Sequence, residues 1–344
     1  LIRRVSKKGD FFMNRRPQGL EASKAVIGFL QYKGAEGLAP ITVAGYERDL
    51  KLWIDHMGDI DVVRITPQHI LSFLNYIRTD YVPRRIAGDN SKKLAPKTVY
   101  NIYVSLASFL TWATNEFNFA NPMKSVPRPR VPEDAPVEPF KKEEIERLIK
   151  ACDFCQEAAT DRRRKFTMQR STGKRDKAIL LTLLDTGLRA SELCALRIED
   201  VDMKTGRIMI RSGEAGKAKG GKGRIVYLGQ SARRFVWRYL AERDDVKDPE
   251  APLFVGKFRR PFNRDALRQL IKSLGEKAGV TKCHPHRFRH TFAITYLRSG
   301  GDIFTLKSLL GHGSLDMVQH YARIADVDVQ QAHRRASPAD NWRL

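Results

Sequence analysis

The sequence predicts a mainly α protein of two domains with one small antiparallel β-sheet. Three observations lead there. Apolar residues recur at helical spacing through most of the chain, and several of these runs open at a proline or a capping threonine. Two short, alternating, β-branched stretches, Arg207 to Arg211 and Arg224 to Leu228, flank a Gly/Lys-rich loop. Asn121-Pro122, Pro127, Pro129, Pro132, Pro136 and Pro139 punctuate one extended stretch, which reads as a linker of restricted backbone freedom. A chain of 344 residues has room for a core on each side of it.

Taken in order, residues 1–19 are a basic arm broken by Gly9, Pro17 and Gly19, either touching a polyanion or simply solvated. Residues 20–123 read as a helical bundle. Ala25, Ile27, Phe29 and Leu30 begin its first helix. Pro40 starts the second, which carries Tyr46, Leu50, Trp53 and Ile54. Thr66-Pro67 caps and opens the third, with Ile70, Phe73, Leu74 and Ile77 as its stripe. A polar loop over 83–93 leads to Pro96 and a fourth helix with Val99, Ile102, Leu106, Phe109, Leu110 and Ala113. Residues 124–138 are the linker, 139–325 the second domain and 326–344 a polar tail.

The second domain opens with a helix over Phe140 to Ala151, where Glu143 and Glu144 favour the dipole of its first turn. Thr160 to Lys177 is strongly basic: Arg162, Arg163, Arg164, Lys165, Arg170, Lys174, Arg175 and Lys177 face only Asp161 and Asp176. It reads as a solvated loop or as one that neutralises phosphates. An apolar helix follows from Asp176 to Asp185, breaks at Gly187 and resumes over Ala190 to Leu196. Further helices are expected around 231–243, 263–278, 286–298, 303–310 and 315–322.

Charge narrows the function. Lys and Arg number 62 against 39 acidic residues, a net charge of +23, which points to a nucleic acid partner. The sequence holds neither an apolar stretch of membrane-spanning length nor a basic amphipathic anchor. Leu1 to Arg16 lacks the apolar block and cleavage site of a secretory signal, so the cytoplasm is the expected location. Cys152 and Cys155 form a CxxC without a second pair, and Cys194 and Cys283 stand in apolar or mixed segments. Neither a metal site nor any other cofactor is implied.

Chemistry-bearing residues concentrate late in the chain. Arg189 follows the helix break at Gly187, where a side chain can meet a phosphate beside helix N-terminal amides, and Glu192 three positions on can hold it. His286 and Arg289 are three apart on one helix and share a face. His286 and His290 have the spacing of a zinc-protease helix, but Arg287 occupies the place of its glutamate. His312 lies in a Gly-His-Gly turn nine residues before Tyr321. Tyr227, Tyr239 and Tyr296 read as core or surface residues.

Thr186-Gly187-Leu188-Arg189-Ala190-Ser191-Glu192, His286-Arg287-Phe288-Arg289, Leu309-Leu310-Gly311-His312 and Tyr321, in this order, resemble the tyrosine recombinase (phage integrase-like) family. The resemblance is strong from about Glu143 to Tyr321 and weaker from Leu20 to Pro122. It implies a SAM-like core-binding domain over 20–123 and a mixed α+β catalytic domain over 139–325, clamping double-stranded DNA between them. The basic stretch at 160–177 departs from the family, which passes more directly between the flanking helices; Gly313 is a milder departure.

By resemblance, Tyr321 is the nucleophile, Arg189 and Arg289 hold the non-bridging phosphate oxygens, and His312 stabilises their charge. His286 is the general base. Lys222 in Lys219-Gly220-Gly221-Lys222-Gly223-Arg224 matches the family's hairpin general acid, with Lys217 and Lys219 as competitors. Arg162, Arg163, Arg164, Lys165, Lys219, Arg224 and Arg287 are expected to contact DNA. Arginines would take the place of metal ions, since guanidinium is planar, always charged and bidentate toward phosphate. The implied function is site-specific recombination through a 3′-phosphotyrosyl intermediate and a four-way junction. The expected assembly is a homo-tetramer on two specific DNA sites, joined by accessory DNA-bending proteins. Its tail would dock on a neighbour, and its task would be integration and excision of a mobile element, or resolution. A type IB-like topoisomerase and a non-catalytic, sequence-specific DNA-binding protein are the alternatives.

Overall fold

The computed structural model describes residues 19–83, 91–132, 138–155, 168–211, 223–256 and 259–311. It adds the backbone of 158–160 and 163–166, and the single positions 321, 337, 339 and 342. Most of the basic arm and tail, and residues Arg162, Lys219, Lys222 and His312, lie outside the described residues. The chain divides into two compact units, Leu1–Asp134 and Ala135–Leu344.

The first unit is helical: α1 (Ala22–Ala35), α2 (Pro40–Met57), α3 (Pro67–Thr79) and α4 (Pro96–Phe117). Proline opens α2, α3 and α4, where its missing N–H costs no hydrogen bond. Thr66 accepts from the His69 amide while His69 accepts from the Thr66 amide, so two otherwise unpartnered donors are satisfied together. Phe29, Leu50, Trp53, Ile70, Phe73, Leu106, Phe109 and Leu110 are fully buried between the helices. Ile27, expected among the first residues of this stripe, faces outward on α1. Asp49 on α2 is buried and accepts from the Ser105 hydroxyl of α4 at 2.8 Å, one polar link inside an apolar interface.

The second unit is mixed. Its helices are α5 (Lys142–Ala151), α6 (Gly173–Thr186), α7 (Ala190–Ala195), α8 (Gln230–Leu240), α9 (Arg264–Ala278), α10 (Pro285–Arg298) and α11 (Ile303–Leu310). β1 (Ala158–Thr160) pairs antiparallel with β2 (Arg163–Phe166), so part of the basic stretch forms a hairpin rather than a plain loop. β3 (Arg207–Ile210) pairs antiparallel with β4 (Arg224–Tyr227), Ile208 opposite Val226. Ile208, Ile210 and Val226 turn inward while Met209 and Tyr227 stay exposed, the alternation expected of a sheet covered on one face. The apolar α6 runs through the core and packs against α8 and α10.

The C-terminal half of the basic stretch is not free for phosphates. Asp176, fully buried, accepts from Arg170 Nε at 2.8 Å, from Arg175 Nη2 at 2.7 Å and from the Thr172 hydroxyl at 2.9 Å. Lys177 pairs with Asp153, and Lys174 with Glu242. Unpaired, the Asp176 carboxylate would be strongly unfavourable at such depth, so Arg170 and Arg175 serve the fold.

Phe109 sits at the centre of the first unit, edge-on to Phe29 at 5.6 Å and tilted against Trp53 at 6.3 Å. Phe109→Ala is expected to lower unfolding free energy by about 3–5 kcal/mol. Denaturant titration checks this, and a loss below about 1 kcal/mol would contradict this packing.

Candidate active site

α6 ends at Thr186 and the chain turns at Gly187, whose φ is +61°. A Cβ there would fall 2.5 Å from Phe292 Cδ1 and 3.0 Å from Leu310 Cδ2, so both conformation and space demand glycine. The turn frees the Gly187 carbonyl, which accepts from Arg289 Nη1 at 2.8 Å. Two residues on, Arg189 caps α7 in extended conformation.

Glu192 is the anchor for Arg189. Its Oε2 accepts from the Arg189 amide at 2.8 Å and its Oε1 from Arg189 Nη1 at 2.9 Å. The same carboxylate takes both ends of Arg224, from Nη1 at 2.8 Å and Nη2 at 2.7 Å. Burial alone would push the Glu192 carboxyl up. The hydrogen bonds and charge of Arg224, then those of Arg189, overcome this and hold it down at about 2.

α11 supplies the floor. Its last carbonyls have no partners within the helix. Leu309 O accepts from Arg224 Nε at 2.6 Å, Leu310 O from Arg289 Nη2 at 2.7 Å, and the following Gly311 O from Arg189 Nη2 at 3.2 Å. Gly311 caps the helix at φ +63°, and a Cβ on it would lie 3.0 Å from Arg224 Nη1. Three guanidinium groups thus gather at one helix C-terminus, the negative end of its dipole.

Arg289 is almost wholly buried on α10. Burial, and then the neighbouring Arg189, bring its pKa down to about 10, while Glu192 and Tyr321 pull upward; it remains a cation at neutral pH. Tyr321 packs with Ala293, Ile294, Leu297, Leu306 and Leu310, edge-on to His290 at 5.3 Å. Burial raises its phenol above the ordinary value. The charges of Arg289 and Arg189, and a hydrogen bond from Arg289, pull downward without overcoming burial. The net shift is therefore upward, although the arginines favour the phenolate. His286 keeps an exposed surface on the first turn of α10; partial desolvation, then Arg289, Arg268 and Arg189, lower its pKa, so the imidazole is neutral at pH 7.

Arg189, Glu192, Arg289 and Tyr321 therefore meet in one cluster, with His286 in the field of both arginines. Lys222 and His312 lie outside the described residues, as do Arg162 and Lys219 and the side chains of Arg163, Arg164 and Lys165. Two expected DNA contacts are corrected. Arg224 turns inward onto Glu192, and its guanidinium is occupied. Arg287 is also buried: it donates to Glu138 O, Pro139 O, Thr281 O and Glu144, and lies 4.0 Å over the Phe140 ring. It fastens residues 138–144 to α10. Sequence reasoning missed the carbonyls of Gly187, Leu309, Leu310 and Gly311, which bear no side-chain signal.

Burial pushes the thiols of Cys152 and Cys283 up to about 12 and that of Cys194 up to about 11. Among the described residues no group of three His, Cys, Asp or Glu is placed to hold a metal ion. No described helix is long and apolar enough to cross a membrane.

The model of the phage integrase family matches residues 139–327, more than half of the chain. Tyrosine recombinase XerC of Corynebacterium glutamicum is 29% identical over 303 residues, covering 88% of this chain and 87% of its own. Tyrosine recombinase XerA of Thermococcus kodakarensis is 28% identical over 320 residues, covering 92% and 96%. Among solved structures, the Tn1549 transposon integrase in complex with circular intermediate DNA aligns with a TM-score of 0.67 at 18% identity, over 86% of this chain and 94% of that one. The XerH recombinase bound to a palindromic difH substrate, a post-cleavage complex, aligns at 0.63 and 18% identity, over 92% and 84%. At such identities these two establish the fold.

The Glu192 carboxyl, held near 2 against an ordinary 4.5, has a testable consequence. A depressed carboxyl contributes stability above its unfolded value and loses it as pH falls through the folded one, here about 3 kcal/mol between pH 4.5 and 2. Glu192→Gln should flatten the fall in unfolding free energy over that window. Identical pH slopes for wild type and variant in denaturant titrations would contradict the assignment.

Proposed function

Because the chain belongs to the phage integrase family, the tyrosine recombinases, we propose that the cluster of Arg189, Arg289 and Tyr321 is its strand-cleaving centre. The protein is a site-specific recombinase that cuts and rejoins DNA. The observation that carries the site assignment is Arg289. A nearly buried cation fixed by two backbone carbonyls, it lies close enough to the Tyr321 phenol to favour its ionised form, as does Arg189.

In this reading the scissile phosphate lies against Arg189 and Arg289, which hold its two non-bridging oxygens. The Tyr321 oxygen attacks phosphorus, and the bond from phosphorus to the 5′ oxygen breaks. A 3′-phosphotyrosyl link and a free 5′-hydroxyl result. His286 accepts the phenol proton; its lowered pKa keeps it in the neutral form that a base requires. Lys222 gives a proton to the departing oxygen, and His312 adds a donor to the crowded phosphate.

The phosphotyrosyl link conserves the energy of the broken bond, so a 5′-hydroxyl from a second duplex reverses the step without a nucleotide cofactor. Exchange of two strand pairs then passes through a four-way junction. A homo-tetramer on two sites suits this sequence of events, with accessory DNA-bending proteins setting direction and the tail reaching a neighbour. The biological task is integration and excision of a mobile element, or resolution. A net charge of +23 supports contact with the DNA backbone. The topoisomerase and the purely binding alternatives lose ground to relatives that are themselves named recombinases.

Tyr321→Phe should yield no covalent protein–DNA adduct on a nicked duplex carrying the target site, while non-covalent binding stays within about twofold. Adduct from the variant at the wild-type level, seen by denaturing gel, would end the assignment.

A further inference from the structure

Glu192 poses a problem of charge. It is fully buried and bonded to the arginine that is to hold the phosphate. An isolated Arg189–Glu192 pair has no net charge. A guanidinium whose charge is cancelled by its own anchor has little left for a phosphate. The second arginine on the same carboxylate resolves this. Arg224 meets Glu192 through both Nη atoms, and its side chain is only 9% exposed. Arg189 remains 22% exposed. With Arg224 included, the trio carries one net positive charge, and that charge sits on the member that still faces solvent.

We propose that Arg224 is a positioning residue that neutralises Glu192, so that Glu192 fixes Arg189 in place without cancelling its charge. The inference rests on the reading of Arg189 as a phosphate ligand. Its geometry is specific. The Glu192 oxygens each take one Nη of Arg224, while Arg224 Nε donates to Leu309 O, so all three guanidinium nitrogens have partners inside the fold. Arg224 also occupies the place where a Gly311 side chain would be, on the residue whose carbonyl holds Arg189. Because Arg224 opens β4, two residues after Lys222, seating it on Glu192 also ties down the strand that leaves the Lys222 loop.

The sign of a double substitution tests this. Arg224→Gln leaves Glu192 to cancel Arg189, and single-turnover cleavage should slow by about 100-fold. Glu192→Gln in the same chain removes the negative charge yet keeps a carbonyl oxygen for Arg189. The double variant should therefore cleave at least about tenfold faster than Arg224→Gln alone. Arg224→Lys keeps the cation but not the two-point contact, and should cleave more slowly than wild type yet faster than Arg224→Gln. All variants are compared as full chains that melt cooperatively and bind the intact target duplex.

A wild-type rate in Arg224→Gln, a double variant no faster than Arg224→Gln, or Arg224→Lys as slow as Arg224→Gln overturns the proposal. A residue needed only for folding gives losses that accumulate, not a recovery. Arg189→Ala and Tyr321→Phe run alongside. Adduct from Tyr321→Phe sinks the underlying reading, whereas loss in Arg189→Ala with a wild-type rate in Arg224→Gln sinks this inference alone.

Discussion

Three consecutive carbonyls, those of Leu309, Leu310 and Gly311, take hydrogen bonds from three different arginines. The rest of the second unit is arranged around that grip. Like charges do not gather unaided: each cation here is partly or wholly withdrawn from water and repels the others. A hydrogen bond to a charged group contributes roughly 1.5–3 kcal/mol, and a helix C-terminus adds its dipole. One buried carboxylate, Glu192, supplies the only full negative charge in this described cluster. The balance leaves a site that is positive and closely packed before any DNA arrives.

That order of construction matters for the chemistry. Positive groups already fixed where charge develops need no reorganisation at the moment of reaction, which is where most electrostatic rate enhancement originates. Glycine makes the grip feasible at two points. Gly187 bends the chain so that its carbonyl reaches Arg289, and Gly311 lets α11 end against Arg224. The same apolar wall of α10 and α11 that supports the carbonyls also buries the Tyr321 ring, so the phenol and the charges are positioned by one piece of packing. Burial keeps the phenol protonated, and the arginines moderate that tendency without reversing it.

Much of this was legible in the sequence, for identifiable reasons. Proline at helix starts, the Thr66 cap, the apolar stripes and the two β-branched stretches are local signals, and the helices and the β3–β4 hairpin follow them. Arg189, Glu192, His286 and Arg289 stood out because their spacing along helices already places them near one another. The orientation of Arg224 and Arg287 was not legible. On a basic chain an arginine reads as a DNA contact, and nothing in a four-residue strand or one helical turn says that a buried glutamate waits on the inner side. Backbone acceptors are invisible to any reading of side chains. The upward shift of Tyr321 was not legible either, because it comes from burial, which spacing along the chain does not show.

The central claim is that fixed cations, Arg189 and Arg289 above all, exist to offset the charge of the scissile phosphate. Single-turnover cleavage on two substrates tests it most directly, one with an ordinary phosphodiester at the scissile position and one with a neutral methylphosphonate. Arg189→Ala and Arg289→Ala should lose about 10³-fold on the phosphodiester and fall within about tenfold of wild type on the methylphosphonate, where the charge to be offset is gone. An equal loss on both substrates would mean that these arginines serve the fold rather than the phosphate, and would contradict the account.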